Sequence, residues 1–301
     1  MSEAGATRAI VAVVVTMDPD PRTFEALLTA TRPQVDAIIV IDNGSRVDSL
    51  RQITSLCDGR AMLHALPDNV GVAAAQNRGI GLAKSLNATD VLLLDHDSVP
   101  DTRMVIELGM AADTLARSGI AVGAVGPAIV DRQSGTAAPL PQIIDDAVRF
   151  VPMPSQPAPC EYLIASGTLV SVAAFDAVGP LDEAYFVDQV DIEWCLRAKR
   201  AGFAFWCVPQ ARLEHAIGDE NISFWFLGRR QLAVHSPRRD YFYFRNSIRL
   251  IRTAGVAKPW KRFWARRLAR LFVLQLLFVP PRGERAGAMC RGMMEALREP
   301  R

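Results

Sequence analysis

The chain has 301 residues, half of them hydrophobic and 22% charged, with 20 Gly, 19 Pro and five Cys. That length suits one large domain or two halves sharing a core, and the composition excludes a disordered, collagen-like or low-complexity protein. The net charge of +2 conceals a division, because residues 229–301 hold 18 Lys and Arg against 4 Asp and Glu while residues 1–228 hold 16 against 28, and such a basic end predicts an anionic partner.

In chain order, the apolar run at residues 9–15 leads into Asp18-Pro19-Asp20 without a small-residue cleavage site. It therefore reads as a strand, not a signal peptide. Residues 10–16, 37–41 and 91–95 are short β-branched runs, and residues 24–30, 47–56 and 72–86 between them carry apolar side chains at helical spacing. The alternation predicts a mostly parallel sheet with helices on both faces. Ligands of such sheets bind outside the carboxyl ends of the strands. Residues 131–159 are proline-rich and aperiodic, and read as a long loop. A strand at 162–165, a helix at 191–201 and a strand at 203–208 follow, and the rest is read as mainly helical and basic. Boundaries near 130 and 228 divide the chain into three parts. The late apolar run at 271–279 falls short of the ~20 residues that span a bilayer. Five cysteines without a CxxC pair argue against a disulfide framework or thiolate zinc site and fit a reducing cytoplasm.

Several strand ends carry polar residues: Thr16 and Asp18 after the first, Asp42-Asn43-Gly44-Ser45 after the second, and Asp95-His96-Asp97-Ser98 after the third. Asp42 also suits a helix N-cap. In the segment 69–79, Gly71 and the alanines after it allow close backbone approach, and the new helix offers amides to an anion; close packing of helix on sheet explains the alanines equally well. Asp95 and Asp97 place two hard oxygen ligands just beyond a buried strand, which suits Mg2+ or Mn2+ bridging a diphosphate. His215 is a candidate third ligand. Residues 182–197 mix Asp182, Glu183, Asp188, Asp191 and Glu193 with Tyr185, Phe186 and Trp194, which is unlike a solvated helix face.

Taken together, these pieces resemble inverting glycosyltransferases of family 2, and within them the bacterial rhamnosyltransferases that use dTDP-L-rhamnose. The resemblance is carried by Val-Thr-x-x-Pro at 15–19, Val-Ile-Asp-Asn-Gly-Ser at 40–45, Asn-x-Gly-x-Ala-x-Ala-x-Asn-x-Gly at 69–79 and Leu-Asp-x-Asp-Ser at 94–98. Phe-x-Asp-x-Val-Asp-x-Glu-Trp-Cys-Leu-Arg-Ala at 186–198, His-x-x-Gly at 215–218 and Arg-x-Tyr-x-x-x-Arg-Asn at 239–246 extend it. It implies a GT-A fold, with a nucleotide-sugar half at 1–130, an acceptor and catalytic half at 131–228 and a basic helical region at 229–301. It implies that Thr16, Asp18, Asp42, Asn69, Gly71, Asn77, Asp95, Arg239 and Arg245 meet the donor, and that Asp95, Asp97 and His215 meet the metal. Asp191 falls at the general base, and Asp188, Glu193 and Trp194 lie where the acceptor binds. Met17 and Asp18 stand where Tyr and Asn are common, and Val190 where many members carry Glu. A metal-dependent nucleotidyltransferase and a non-catalytic protein of the same fold are the alternatives; the first gives no reason for Asp191-x-Glu-Trp.

In the tail, residues 258–279 join a basic aromatic segment to an apolar one. Trp260 and Trp264 share a helical face. A helix lying on an anionic membrane and a helix docked on the domain or on a second copy both account for the pattern. The basic and aromatic residues lie on apolar helices and form no stacking platform, which argues against nucleic acid.

Overall fold

The structure is a computed structural model and describes residues 8–131, 135–215, 221–225, 229–233 and 235–300. The first half follows the predicted alternation: β1 (Ile10–Thr16), α1 (Pro21–Thr31), β2 (Ala37–Asp42), α2 (Val47–Cys57), β3 (Met62–Ala65), α3 (Val72–Ser85), β4 (Asp90–Asp95), β5 (Ser98–Pro100), α4 (Met104–Arg117) and β6 (Val122–Asp131). The second half adds β7 (Leu140–Ile144), β8 (Ala147–Val151), β9 (Ala158–Cys160), β10 (Leu169–Ser171), α5 (Val172–Val178), α6 (Val190–Arg200) and β11 (Ala204–His215). After these come β12 (Asn221–Trp225), β13 (Arg229–Ala233), α7 (Pro237–Arg252), α8 (Lys258–Phe278) and α9 (Arg282–Arg298).

Among the described residues one sheet runs β3-β2-β1-β4-β10-β6-β11-β5, with β9 also on β11. The β1–β2, β1–β4, β2–β3 and β6–β11 pairs are parallel, whereas β10 lies antiparallel between β4 and β6. The sheet is therefore mixed but mostly parallel, and it crosses the boundary expected at residue 130. Strand β1 shows why its sequence is apolar throughout. Val11, Val13 and Val15 join α3 and α6 in one buried layer, and Ile10, Ala12 and Val14 join α1 and α4 in the other. Both faces of the sheet are covered.

Three expectations for the second half need correction. The remainder, read as mainly helical, opens with an antiparallel strand pair, β12 and β13. The proline-rich stretch is not a single loop: β7 and β8 form an antiparallel hairpin whose turn residues Asp145 and Asp146 both have positive φ, 49° and 56°. Adjacent left-handed residues are what a two-residue hairpin turn needs, and Asp tolerates them better than most. Residues 162–165 form no strand. Pairing with β4 begins only at Leu169, after a turn at Gly167 (φ 77°), where a Cβ would lie 2.7 Å from the Pro127 ring.

The tail also resolves one of its two readings. Trp260, Trp264 and Leu268 are buried; Trp260 meets Tyr162 edge-on at 5.3 Å and stacks on Trp264 at 5.3 Å. The aromatic face of α8 docks on the domain, which takes the large apolar surface of those rings out of water. Helices α7, α8 and α9 converge on a buried ion pair, Arg285–Asp240, at 2.5 Å, to which Gln275 adds a 3.0 Å bond. No helix among the described residues is long and apolar enough to cross a membrane.

Candidate active site

The carboxyl ends of β1, β2 and β4 lie side by side because the parallel register pairs Thr16 with Asp42 and Val15 with Asp95. Their polar residues form a continuous network. Asp42, fully buried, accepts from the Ser45 amide at 3.1 Å and from the Ser45 hydroxyl. Ser45 in turn accepts from the Asp18 amide at 2.8 Å, and Asp18 pairs with Arg46 at 3.0 Å. Asn43 donates to Asn69 at 3.2 Å and accepts from the Val70 amide at 3.0 Å. Asn69 also donates to the Met17 sulfur at 3.1 Å. Gly44 (φ 85°) is required here, since a Cβ would lie 2.6 Å from the Asn69 nitrogen. Thr16 is buried in this network, yet its hydroxyl has no partner among the described residues. An orphaned buried hydroxyl at a strand end is where a ligand atom would be expected.

Asp95 and Asp191 come together through two consecutive residues. The Ser166 hydroxyl donates to Asp95, and the neighbouring Ala165 amide donates to Asp191 at 3.1 Å. Asp191 sits in the first turn of α6 and also accepts from the Ile192 amide at 2.8 Å. Burial pushes its carboxyl up to about 6, opposed by the Ile192 and Ala165 amides and reinforced by the charge of Asp95. Desolvation thus outweighs two hydrogen bonds, and the group titrates near neutrality. A strand at 162–165 would give Ala165 no role and Ser166 belongs to no motif; the signal that the sequence offers is Gly167, which turns the chain there.

Helix α6 is entered through a run of unusual backbone. Phe186, Asp188 and Gln189 have φ of 63°, 62° and 66°. Gly71 (φ 89°) lies against this run, where a Cβ would be 2.6 Å from the Phe186 ring. The Val72 amide donates to the Phe186 carbonyl at 2.7 Å and the Gly71 amide to Asn69 at 2.9 Å. Those two amides, expected to face an anion, are already bonded within the protein.

Four other candidate residues are likewise bonded within the protein. Asn77 spends its amide on Leu181 (2.9 and 3.0 Å) and Glu183 (3.0 Å), joining α3 to the second half. Glu193 pairs with Arg197 at 2.9 Å, and Arg197 also caps the Val178 and Pro180 carbonyls. Trp194 is buried, donates to the Gly179 carbonyl at 2.9 Å and stacks on Phe175, so it offers no ring face to an acceptor. Arg245 is buried against the Phe242 and Tyr241 rings and donates to the Tyr185 carbonyl at 3.3 Å. All four fix the second half in place. Asp188 and Arg239, expected on different substrates, form one ion pair at 3.1 Å.

The dTDP-rhamnosyl transferase RfbF of Shigella flexneri is 31% identical over 252 residues, which is 81% of this chain and 80% of that protein. The family profile "Glycosyl transferase family 2" matches residues 21–150. The chain belongs to glycosyl transferase family 2. It is a glycosyltransferase, and its solved neighbours carry the same GT-A architecture. A crystal structure of S. aureus TarS 1-349 in complex with UDP-GlcNAc superposes with a TM-score of 0.58 at 14% identity, over 97% of this chain and 81% of that one. GalNAc-T7 with UDP, GalNAc and Mn2+ gives 0.58 at 13% identity over 92% of this chain, which spans 59% of that longer one.

A divalent cation that shares its coordination with a diphosphate asks for few protein ligands. No three His, Cys, Asp or Glu side chains among the described residues lie close enough to cage an ion. Mg2+ at phosphate sites, however, takes one or two carboxylates with the rest from phosphate and water. Asp97, half-buried just beyond β4, and Asp95 before it supply hard oxygens of that kind. Strand β5 pairs with β11 so that Ser98 faces His215. The side chain of His215 lies outside the described residues.

Proposed function

We propose that this glycosyltransferase is an inverting rhamnosyltransferase, moving L-rhamnose from dTDP-L-rhamnose onto a hydroxyl of a glycan or lipid-linked glycan. The likeness to RfbF supports the donor. The observation that carries the mechanism is Asp191, a carboxylate titrating near 6 and held beside Asp95 across Ala165 and Ser166. A general base works best when its pKa lies near the operating pH.

In this reading Thr16, Asp18, Asp42, Asn69 and Asp95 receive the nucleoside, and residues 1–130 form the donor half. The orphaned Thr16 hydroxyl supports that placement. The acceptor hydroxyl approaches from residues 131–228 and gives its proton to an Asp191 oxygen as it attacks the anomeric carbon. The bond to the diphosphate breaks on the opposite face, so the configuration inverts. Asp188 and Arg239, already paired, would share their charges with acceptor and diphosphate. Asp97, with Asp95 and His215, would hold Mn2+ or Mg2+, which would supply positive charge for the departing diphosphate.

Residues 229–301 form the basic region, helical from α7 onward, and its outward side supports peripheral contact with an anionic membrane. Arg266, Arg270, Val273 and Leu277 are exposed along the stripe of α8 that faces away from the docked tryptophans. That side combines charge with apolar area, as interfacial helices do.

A thermal-shift screen of nucleotide sugars with Mn2+ or Mg2+, followed by the anomeric configuration of the product, tests the reading. Stabilisation by dTDP-L-rhamnose above UDP-sugars and an inverted product are expected. A preference for UDP-sugars overturns the donor, and a retained configuration overturns the single displacement.

A further inference from the structure

Asn246 is fully buried in α7. Its Nδ2 shares its two hydrogens among three carbonyls of one loop, those of Tyr185 at 2.7 Å, Val187 at 2.7 Å and Asp188 at 3.0 Å. Its Oδ1 accepts from Arg245 Nε at 3.1 Å, which fixes which way the amide points. Flipped, it would set oxygen against three oxygens. The loop it grips contains the left-handed residues Phe186, Asp188 and Gln189, and it runs directly into Val190 and Asp191. Side chains rarely adopt that backbone region unless the surroundings impose it.

The grip has a second wall. Phe186 stacks on Phe242 of α7 with ring centroids 4.7 Å apart, and its carbonyl accepts from Val72 at the start of α3. Gln189 donates to the Ser247 hydroxyl at 3.0 Å. Helix α7 therefore holds the loop through consecutive residues 245, 246 and 247, while Ala165 fixes the Asp191 carboxylate from the other side.

We propose that Asn246 is the positioning residue for the base of this reaction: by holding the backbone carbonyls of residues 185, 187 and 188, it imposes the positive-φ turn that delivers Asp191 onto Ala165 and beside Asp95. Asn246 touches no reacting atom in this scheme. The inference rests on Asp191 being the base.

The test compares Asn246→Ala, Asn246→Ser and Asn246→Asp with Gln275→Leu. The last removes a buried bond to Asp240 in the same helical layer, a bond that includes no residue of the loop. For each, kcat with dTDP-L-rhamnose and the Kd of dTDP are measured well below the melting temperature. Asn246→Ala is expected to lower kcat by about 100-fold, the scale of a misplaced catalytic group, with the Kd of dTDP changed less than about threefold. Asn246→Asp, which sets a carboxylate against three carbonyls, should lose more. Asn246→Ser, keeping one donor, should recover part of the loss. Gln275→Leu should lower the melting temperature while kcat stays within about threefold of wild type, the split that separates a lost transition-state contact from uniform loosening. Wild-type kcat in folded Asn246→Ala overturns the proposal. So does a Gln275→Leu enzyme that loses as much kcat as Asn246→Ala, or an Asn246 series that does not fold even as Ser, because each assigns Asn246 to stability alone. Asp191→Asn run alongside separates the failures: if it stays active, the base reading falls, and if only it is inactive, the positioning role falls.

Discussion

The strand-end network around Thr16, Asp42 and Asn69 and the loop at 183–189 carry the two halves of the proposed chemistry, yet they are built by opposite means. In the first, each polar residue follows a buried parallel strand, and register alone sets Thr16 beside Asp42. In the second, no regular element holds residues 186–189; Asn246, 58–61 positions away in sequence, does so through carbonyl contacts. Sites built on strand ends inherit the rigidity of the sheet. Those built on strained loops depend on a distant clamp, so one substitution far away in sequence can disable them.

The sharpest contrast is expected at Asp191. Asp191→Asn should lower kcat by at least about 100-fold, as lost general-base catalysis does, while the strand-end network keeps its affinity for dTDP. Calorimetric binding beside steady-state rates checks this; loss of binding together with rate would move Asp191 into the donor site. Ser166→Ala comes next. It leaves Asp95 without its hydroxyl partner and should weaken dTDP binding about tenfold, the low end for a hydrogen bond to a charged group. Unchanged affinity would separate Asp95 from the donor.

The pH dependence sharpens the same comparison. With Asp191 pushed up to about 6, kcat should fall as pH drops through that value and plateau above it. The sign for stability is the reverse. A carboxyl raised in the fold above its ordinary 3.8 favours the folded state while protonated, and that contribution is lost as pH rises through about 6. At pH 7.5 ionised Asp191 opposes folding by roughly 3 kcal/mol. Asp191→Asn should therefore melt above wild type at pH 7.5 and near it at pH 4. An acid limb unmoved from the wild-type position in residual Asp191→Asn activity would assign the limb to another group.

The smallest effect on chemistry is expected in the tail. Arg266→Glu with Arg270→Glu should release the protein from anionic vesicles at low salt, leaving dTDP binding intact, since the tryptophans that dock α8 face the other way. Equal flotation of wild type and variant would leave the outward face of α8 without a membrane role.

The sequence by itself determined the alternation of strands and helices in the first half, the strand ends where polar residues gather, and the membership that Val-Asp-x-Glu-Trp-Cys-Leu-Arg and Arg-Asn signal. Period and burial are local properties, so β1, β2, β4, α2 and α6 were legible to within a residue or two. Tertiary structure alone decided that Trp194 and Arg245 are buried supports, that Asn77 ties α3 to the second half, and that Trp260 and Trp264 face the domain. A side chain's type sets what it can bond, but its partners depend on which distant backbone arrives beside it. Ala165 and Ser166 make the point most clearly: an alanine amide and one hydroxyl, unremarked in the sequence, join Asp95 to Asp191 because the chain crosses both before it turns at Gly167 into the sheet.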